Sequence, residues 1–189
     1  MSPIHPLIWL SAFTFQVMNG LSIGGWLAGY GNVTRADWSD HHPGQWAAGR
    51  MELGLMLMGA SFLFNIFHDN ELREIRWAKQ RIEARRAKEA DKSTGKDKNS
   101  QGKVGVDKFY MIPQNGGFWV IFYPHYVSEW LEWLGYCFMG GSRFVPGRIF
   151  LVNEIATMLP RAIEGRNWYI RRFGAEKVAG RKAVIPFVL

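Results

Sequence analysis

Residues 53–76 read LGLMLMGASFLFNIFHDNELREIR, and the change of character along this stretch decides the fold. The first twelve positions, Leu53 to Phe64, carry no charge at all. Then Asn65, Asp69, Arg73 and Arg76 follow at i, i+4, i+8 and i+11, a spacing that keeps all four on one face of a helix. That face passes from an amide, to a carboxylate, to two guanidiniums. The order suits a helix leaving a membrane beside a ligand with a polar head and anionic phosphates, because arginine takes phosphate bidentately. The plain alternative is an Asp69–Arg73 pair on the helix, with the remaining arginines anchoring it to the cytosolic interface.

The surrounding chain predicts an all-α membrane protein with about four transmembrane helices. A helix rises about 1.5 Å per residue, so about 20 apolar residues cross a hydrocarbon core. The stretch above belongs to a segment running roughly from residue 45 to residue 67. Upstream, residues 4–30 carry no Asp, Glu, Lys or Arg, and Gly20, Gly24, Gly25 and Gly29 permit close helix contact. Without a basic leader, this segment is not read as a secretory signal. The loop between the two is poor in positive charge and is placed on the non-cytosolic side. It holds the sequon Asn32-Val33-Thr34 and the pair His41-His42, to which no metal is assigned for want of a third ligand. Downstream, residues 71–108 carry twelve Lys or Arg against seven Asp or Glu. The part up to about Ala90 is expected to continue the helix into water, and the rest to be a disordered cytosolic loop. Further apolar segments cover about 118–140 and 144–163, and Pro160 predicts a kink or local break in the last. The basic tail beyond Glu164 belongs to the cytosol, so both termini do. The expected organisation is two helices over 1–70, the charged loop over 71–108 and a C-terminal domain over 109–189.

Composition agrees with this division. Hydrophobic residues make up 48% of the 189, yet mean hydropathy is near zero, because the charge is concentrated in one run and the tail. Nine Trp suit a protein with membrane interfaces. The lone Cys137 excludes an internal disulfide and is read as a small apolar core residue. The net charge of +7 lies beside apolar segments rather than over a folded surface, which argues against nucleic acid as partner.

Ionisable groups inside apolar segments are costly, about 2.5–3.5 kcal/mol each at mid-bilayer, and often mark function. Tyr126, Glu129, Trp133 and Tyr136 fall at i, i+3, i+7 and i+10. His125, Glu129 and Glu132 fall at i, i+4 and i+7, so Glu129 lies in both stripes. Asn153, Thr157 and Arg161 repeat at i, i+4 and i+8, with Tyr169 beyond. The alternatives are interfacial carboxylates in water and an arginine snorkelling to the surface. His68 is read as a satisfied helix-end histidine. The glycine-rich nucleotide loops and the HExxH zinc motif do not occur. Spacing alone therefore supports a membrane site for a polar anionic ligand.

At these residues the chain resembles the steroid 5α-reductases. The resemblance rests on Tyr110-x-Ile-Pro-x-x-Gly-Gly, on Tyr126-x-x-Glu129-x-x-Glu132-Trp133-x-Gly135-Tyr136, on Pro160-Arg161-Ala162, on Trp168-Tyr169, and on the ending from Arg181 through Pro186-Phe187. Upstream, Asn19-Gly20 and Asn65-x-x-x-Asp69 resemble the preceding helices of that family. The resemblance implies the C-terminal part of a seven-helix bundle in the endoplasmic reticulum membrane. It implies reduction of a carbon–carbon double bond in a 3-oxo steroid or related lipid enone, with hydride from NADPH. It implies that Asn65, Asp69, Arg76, Tyr110, Glu129, Arg161 and Tyr169 line the cofactor site. His125 stands where the family usually has Asn, Gly165 where it has His, and Ile23 where it has Gln. The family's first three helices, which carry its Glu and Tyr for the substrate carbonyl, are not seen here, so no catalytic acid is assigned. The competing expectation is a member that binds cofactor or lipid without turnover. A membrane methyltransferase is disfavoured, because Tyr123-Pro124-His125-Tyr126 does not fit the Arg-His-Pro-x-Tyr of those enzymes.

Overall fold

The computed structural model describes residues 5–31, 49–93, 111–141, 143–178 and 180–186. They form helices α1 (Pro6–Gly25), α2 (Arg50–Ser93), α3 (Pro124–Gly140), α4 (Val145–Phe173) and the short α5 (Ala175–Val178). No strand occurs among the described residues, only one isolated parallel bridge between Ile121 and Lys182. The sequon, the pair His41-His42, Tyr110 and Phe187 lie outside the described residues. The chain divides into two compact units, one of residues 1–65 and 126–162, the other of 66–125 and 163–189.

In the first unit, α1 starts where Pro6 presets the helical φ and His5 caps it, its Nδ1 accepting from the Leu7 amide at 3.2 Å. No residue of α1 is buried, and Leu7, Trp9, Met18 and Leu21 are all more than 60% exposed. An uncharged helix of 20 residues, about 30 Å long, with such a surface has the length and apolar character of a membrane span. Its last turn widens to a π-turn over Trp26–Tyr30. There the Trp26 indole N–H donates to the Arg143 carbonyl at 3.1 Å. Its ring packs on Phe144 at 4.6 Å, with Tyr136 against the same phenylalanine at 4.7 Å. Cys137 is buried in this cluster, as a small core residue should be.

The contact of α2 with α3 is set by two glycines. A Cβ on Gly135 would come within 2.7 Å of the Met58 amide nitrogen and 2.8 Å of the Gly54 carbonyl. A Cβ on Gly54 would meet the Gly135 carbonyl at 2.8 Å. The backbones therefore touch, the close approach that small residues allow between membrane helices. On the other side, Trp133 packs on Phe150 of α4 at 4.0 Å.

The second unit is built around the chain before α3. Gly116–Trp119 make one turn of 3-10 helix, Phe118, Ile121 and Phe122 are buried, and the C-terminal segment lies alongside. The Phe122 amide donates to the Lys182 carbonyl and the Tyr123 amide to the Ala183 carbonyl, both at 3.0 Å. The tail is thus folded, with Val178, Ala183 and Val184 buried.

Three expectations need adjustment. Helix α3 begins at Pro124 rather than near Phe118, because Gly116, at φ +60, turns the chain and Pro124 starts a new helix. Pro160 does not break α4, which runs through it for 29 residues. The loss is one hydrogen bond to the residue 156 carbonyl, which a helix held by its neighbours tolerates. Among the described residues, two helices, Pro6–Tyr30 and Arg50–Glu89, are long and apolar enough to cross a membrane, so the expected count of four goes beyond what length and hydropathy select. The polar residues of α3 and α4 dilute their hydropathy. Helix α2 has 44 residues, about 66 Å, twice the thickness of a hydrocarbon core. The charged stretch therefore does continue the helix, over 71–93.

Candidate functional site

Helix α2 places Asn65, Asp69, Arg73 and Arg76 in the spacing read from the sequence, now on a continuous helix. The alternative of an Asp69–Arg73 pair is not realised. Among the described residues, Asn65, Asp69, Arg73 and Arg161 make no side-chain hydrogen bond or ion pair, whereas Glu74 and Glu164 do pair, with Arg81 and Arg171. Arg76 commits its Nε to the Leu72 carbonyl at 3.2 Å, which leaves both terminal nitrogens. Asn65 and Arg161 belong to the first unit, Asp69 and Arg76 to the second.

Glu129, in the first unit, stands on α3 within electrostatic reach of Glu154 on α4. Glu154 was missed by the sequence reading. Its Oε2 is enclosed without a hydrogen-bond partner among the described residues. The spacing could have found it, since Glu154, Thr157 and Arg161 fall at i, i+3 and i+7. Thr157, which had been grouped with Arg161, turns its hydroxyl onto the Asn153 carbonyl of its own helix at 2.9 Å. That back-bond serves the helix rather than a ligand.

Tyr169, in the second unit, lies on an aromatic shelf. It stacks on Phe122 at 4.8 Å and on Phe173 at 5.9 Å, with the Trp168 ring edge-on at 5.1 Å. Arg181 sits 4.7 Å above the Phe122 ring, and its Nη1 donates to the carbonyls of Pro113 and Phe118, each at 2.8 Å. Burial lowers the pKa of this guanidinium from its ordinary value, while Tyr169 acts the other way.

His68 is 3% exposed, and its Nε2 accepts from the Gly117 amide at 3.0 Å. The histidine expected at a helix end instead lies inside α2, and the Gly117 contact satisfies its Nε2 but not its Nδ1. Phe118 meets it edge-on at 5.4 Å. Alanine at 68 leaves a half-buried amide without its acceptor, a cost of about 1 kcal/mol. We expect His68→Ala to lower the melting temperature in detergent, and Arg81→Ala, on the exposed part of α2, to leave it unchanged; equal melting temperatures in both would contradict this anchor.

Residues 97–189 match the family described as 3-oxo-5-alpha-steroid 4-dehydrogenase. The chain is 33% identical over its whole length to an uncharacterized protein of Schizosaccharomyces pombe, covering 59% of that protein. It is 30% identical to the steroid 5-alpha-reductase DET2 of Solanum lycopersicum over 96% of its own length and 56% of the relative. The DET2 reductase of Arabidopsis thaliana follows at 29%, over 94% and 54%. The chain belongs to the steroid 5α-reductase family. It spans between half and two thirds of the length of these relatives.

Membership in the steroid 5α-reductase family makes a nicotinamide cofactor the ligand to test against these side chains. Such a dinucleotide needs cations at its phosphates and hydrogen-bonding groups at its riboses and carboxamide. By residue type alone, the guanidiniums of Arg76 and Arg161 suit phosphate, Asn65 can donate and accept, and Asp69 and Glu129 can accept. The steroid 5α-reductase position that carries Gly165 here also has a local reason. The Tyr123 hydroxyl occupies the place where a Cβ at 165 would go, so a larger side chain would have to displace the phenol.

Proposed function

We propose that this chain binds NADPH at the cytosolic side of the endoplasmic reticulum membrane and reduces a carbon–carbon double bond in a steroid or related lipid enone. The observation that carries the reading is the unpaired state of Asn65, Asp69 and Arg161, and of the terminal nitrogens of Arg76, among the described residues of a steroid 5α-reductase family chain. Polar groups at membrane depth are expensive unless something satisfies them.

NADPH would supply hydride to one carbon of the double bond, a proton drawn from solvent would complete the reduction at the other, and the protein's task is to bind and orient both partners. Arg76 and Arg161 hold phosphates through charge-assisted hydrogen bonds. Asn65, Asp69 and Glu129 take up ribose hydroxyls or the carboxamide. Tyr169, braced on its shelf, and Tyr110 complete the lining. The apolar helices exclude water and hold the lipid in position against the cofactor. In this arrangement α1, the first half of α2, α3 and α4 cross the bilayer, with both termini and residues 71–108 in the cytosol.

The test is NADPH oxidation in membranes containing the chain, with a panel of 3-oxo steroid enones and longer lipid enones. Oxidation should depend on one class of enone and disappear without it. No enone-dependent oxidation across the panel, in a chain that still binds NADPH, would reduce the proposal to cofactor binding alone.

A further inference from the structure

The tail after Gly174 reads as a basic extension, yet it is tied down at five points. The Phe122 and Tyr123 amides donate to the carbonyls of Lys182 and Ala183 at 3.0 Å. Arg181 Nη1 donates to the Pro113 and Phe118 carbonyls at 2.8 Å, and the Arg181 carbonyl accepts from Arg166 Nε at 2.9 Å. Arg166 lies three positions before Tyr169 on α4, and Phe122 is the ring on which Tyr169 stacks. Arg181 is therefore joined to the Tyr169 shelf on two sides: through Arg166 on the helix that carries the tyrosine, and through the guanidinium lying over Phe122.

We infer that residues 180–184 act as a strap, and that Arg181 is a positioning residue that holds Tyr169 and Phe122 in place for the cofactor. This rests on the NADPH reading above. Nη1 of Arg181 is directed at two backbone carbonyls, so its role differs from that of Arg76 and Arg161. The geometry demands arginine. A lysine ammonium is a point charge on a flexible stem, and it cannot present two fixed donors and a planar face to a ring together.

The experiment compares the full-length wild type with Arg181→Ala, Arg181→Lys and Lys177→Ala, the last an exposed residue of α5. NADPH affinity and amide hydrogen exchange are measured on the same detergent-purified samples. Losing a positioning contact is expected to weaken NADPH by about tenfold in both Arg181 variants, with faster exchange at Phe122 and Tyr123, while Lys177→Ala behaves as wild type. The maximal rate at saturating NADPH should fall less than the affinity, a split that general misfolding would not produce. Affinity restored by lysine would mean that charge alone matters and would overturn the positioning role, as would unchanged affinity in Arg181→Ala. A wild-type chain that binds no NADPH removes the cofactor reading instead. The strap is then decided by exchange alone, and unchanged protection at Phe122 and Tyr123 in Arg181→Ala refutes it.

Discussion

Arg161→Ala should weaken NADPH binding by about two orders of magnitude. A guanidinium gripping phosphate makes charge-assisted hydrogen bonds of about 1.5–3 kcal/mol each. Losing such a grip costs on the order of 3 kcal/mol, and every 1.4 kcal/mol is about tenfold in affinity. Arg161 is exposed on α4 and, among the described residues, has no carboxylate partner whose loss could disturb the fold. The variant should therefore purify and melt like wild type. Lys88→Ala, on the exposed part of α2, is the matching control, because it removes one positive charge away from the proposed phosphate contacts. Fluorescence titration of NADPH into the three proteins checks this, and indistinguishable affinities would remove Arg161 from the cofactor site.

Gly135→Leu should fail in the opposite way, by losing the fold. The atoms around a Cβ at 135 are backbone: the Met58 nitrogen at 2.7 Å, the Gly54 carbonyl at 2.8 Å and the Met58 Cα at 3.1 Å. Backbone cannot swing aside as a flexible side chain can, so α2 and α3 must separate. Overpacking a close contact costs about 1–3 kcal/mol for small additions, and a whole isobutyl group exceeds that range. The expected result is a large drop in monodisperse protein after detergent extraction and a clear loss of melting temperature for whatever remains. Gly59, where a Cβ meets nothing within 4 Å, is the comparison: Gly59→Ala should be tolerated. Normal behaviour of Gly135→Leu on gel filtration would show that the two helices do not pack in this register.

How much of this was legible in the sequence differs from element to element. Helix α1 and the first half of α2 were readable because about 20 consecutive apolar residues have one economical solution in a bilayer. The α2 face of Asn65, Asp69 and Arg76 was readable because helical spacing is fixed by backbone geometry. The start of α3 was not, since Phe118 to Tyr123 are as apolar as a helix yet form a 3-10 turn and a bridge to the tail. Hydropathy does not record that His68, Arg181 and Lys182 hold that segment from distant positions in the chain. The folded tail was missed for the same reason: Arg181 and Lys182 look cytosolic by charge, whereas their bonds run to carbonyls and amides some sixty residues earlier. Glu154 is masked in the sequence by its neighbour Asn153, which carries the i, i+4, i+8 spacing to Thr157 and Arg161. Of these three, the structure commits the Thr157 hydroxyl to its own helix.

The cofactor reading stands on Asn65, Asp69 and Arg161, which make no side-chain hydrogen bond among the described residues, and on the terminal nitrogens of Arg76, whose Nε is already bonded to the Leu72 carbonyl. Equilibrium binding of NADPH to the full-length chain in lipid nanodiscs tests it most directly. The expected result is saturable one-site binding, in about the micromolar range usual for enzyme ligands, weakened by about two orders of magnitude in Arg161→Ala and retained in Lys88→Ala. Absence of saturable binding to well-folded wild-type protein would contradict it.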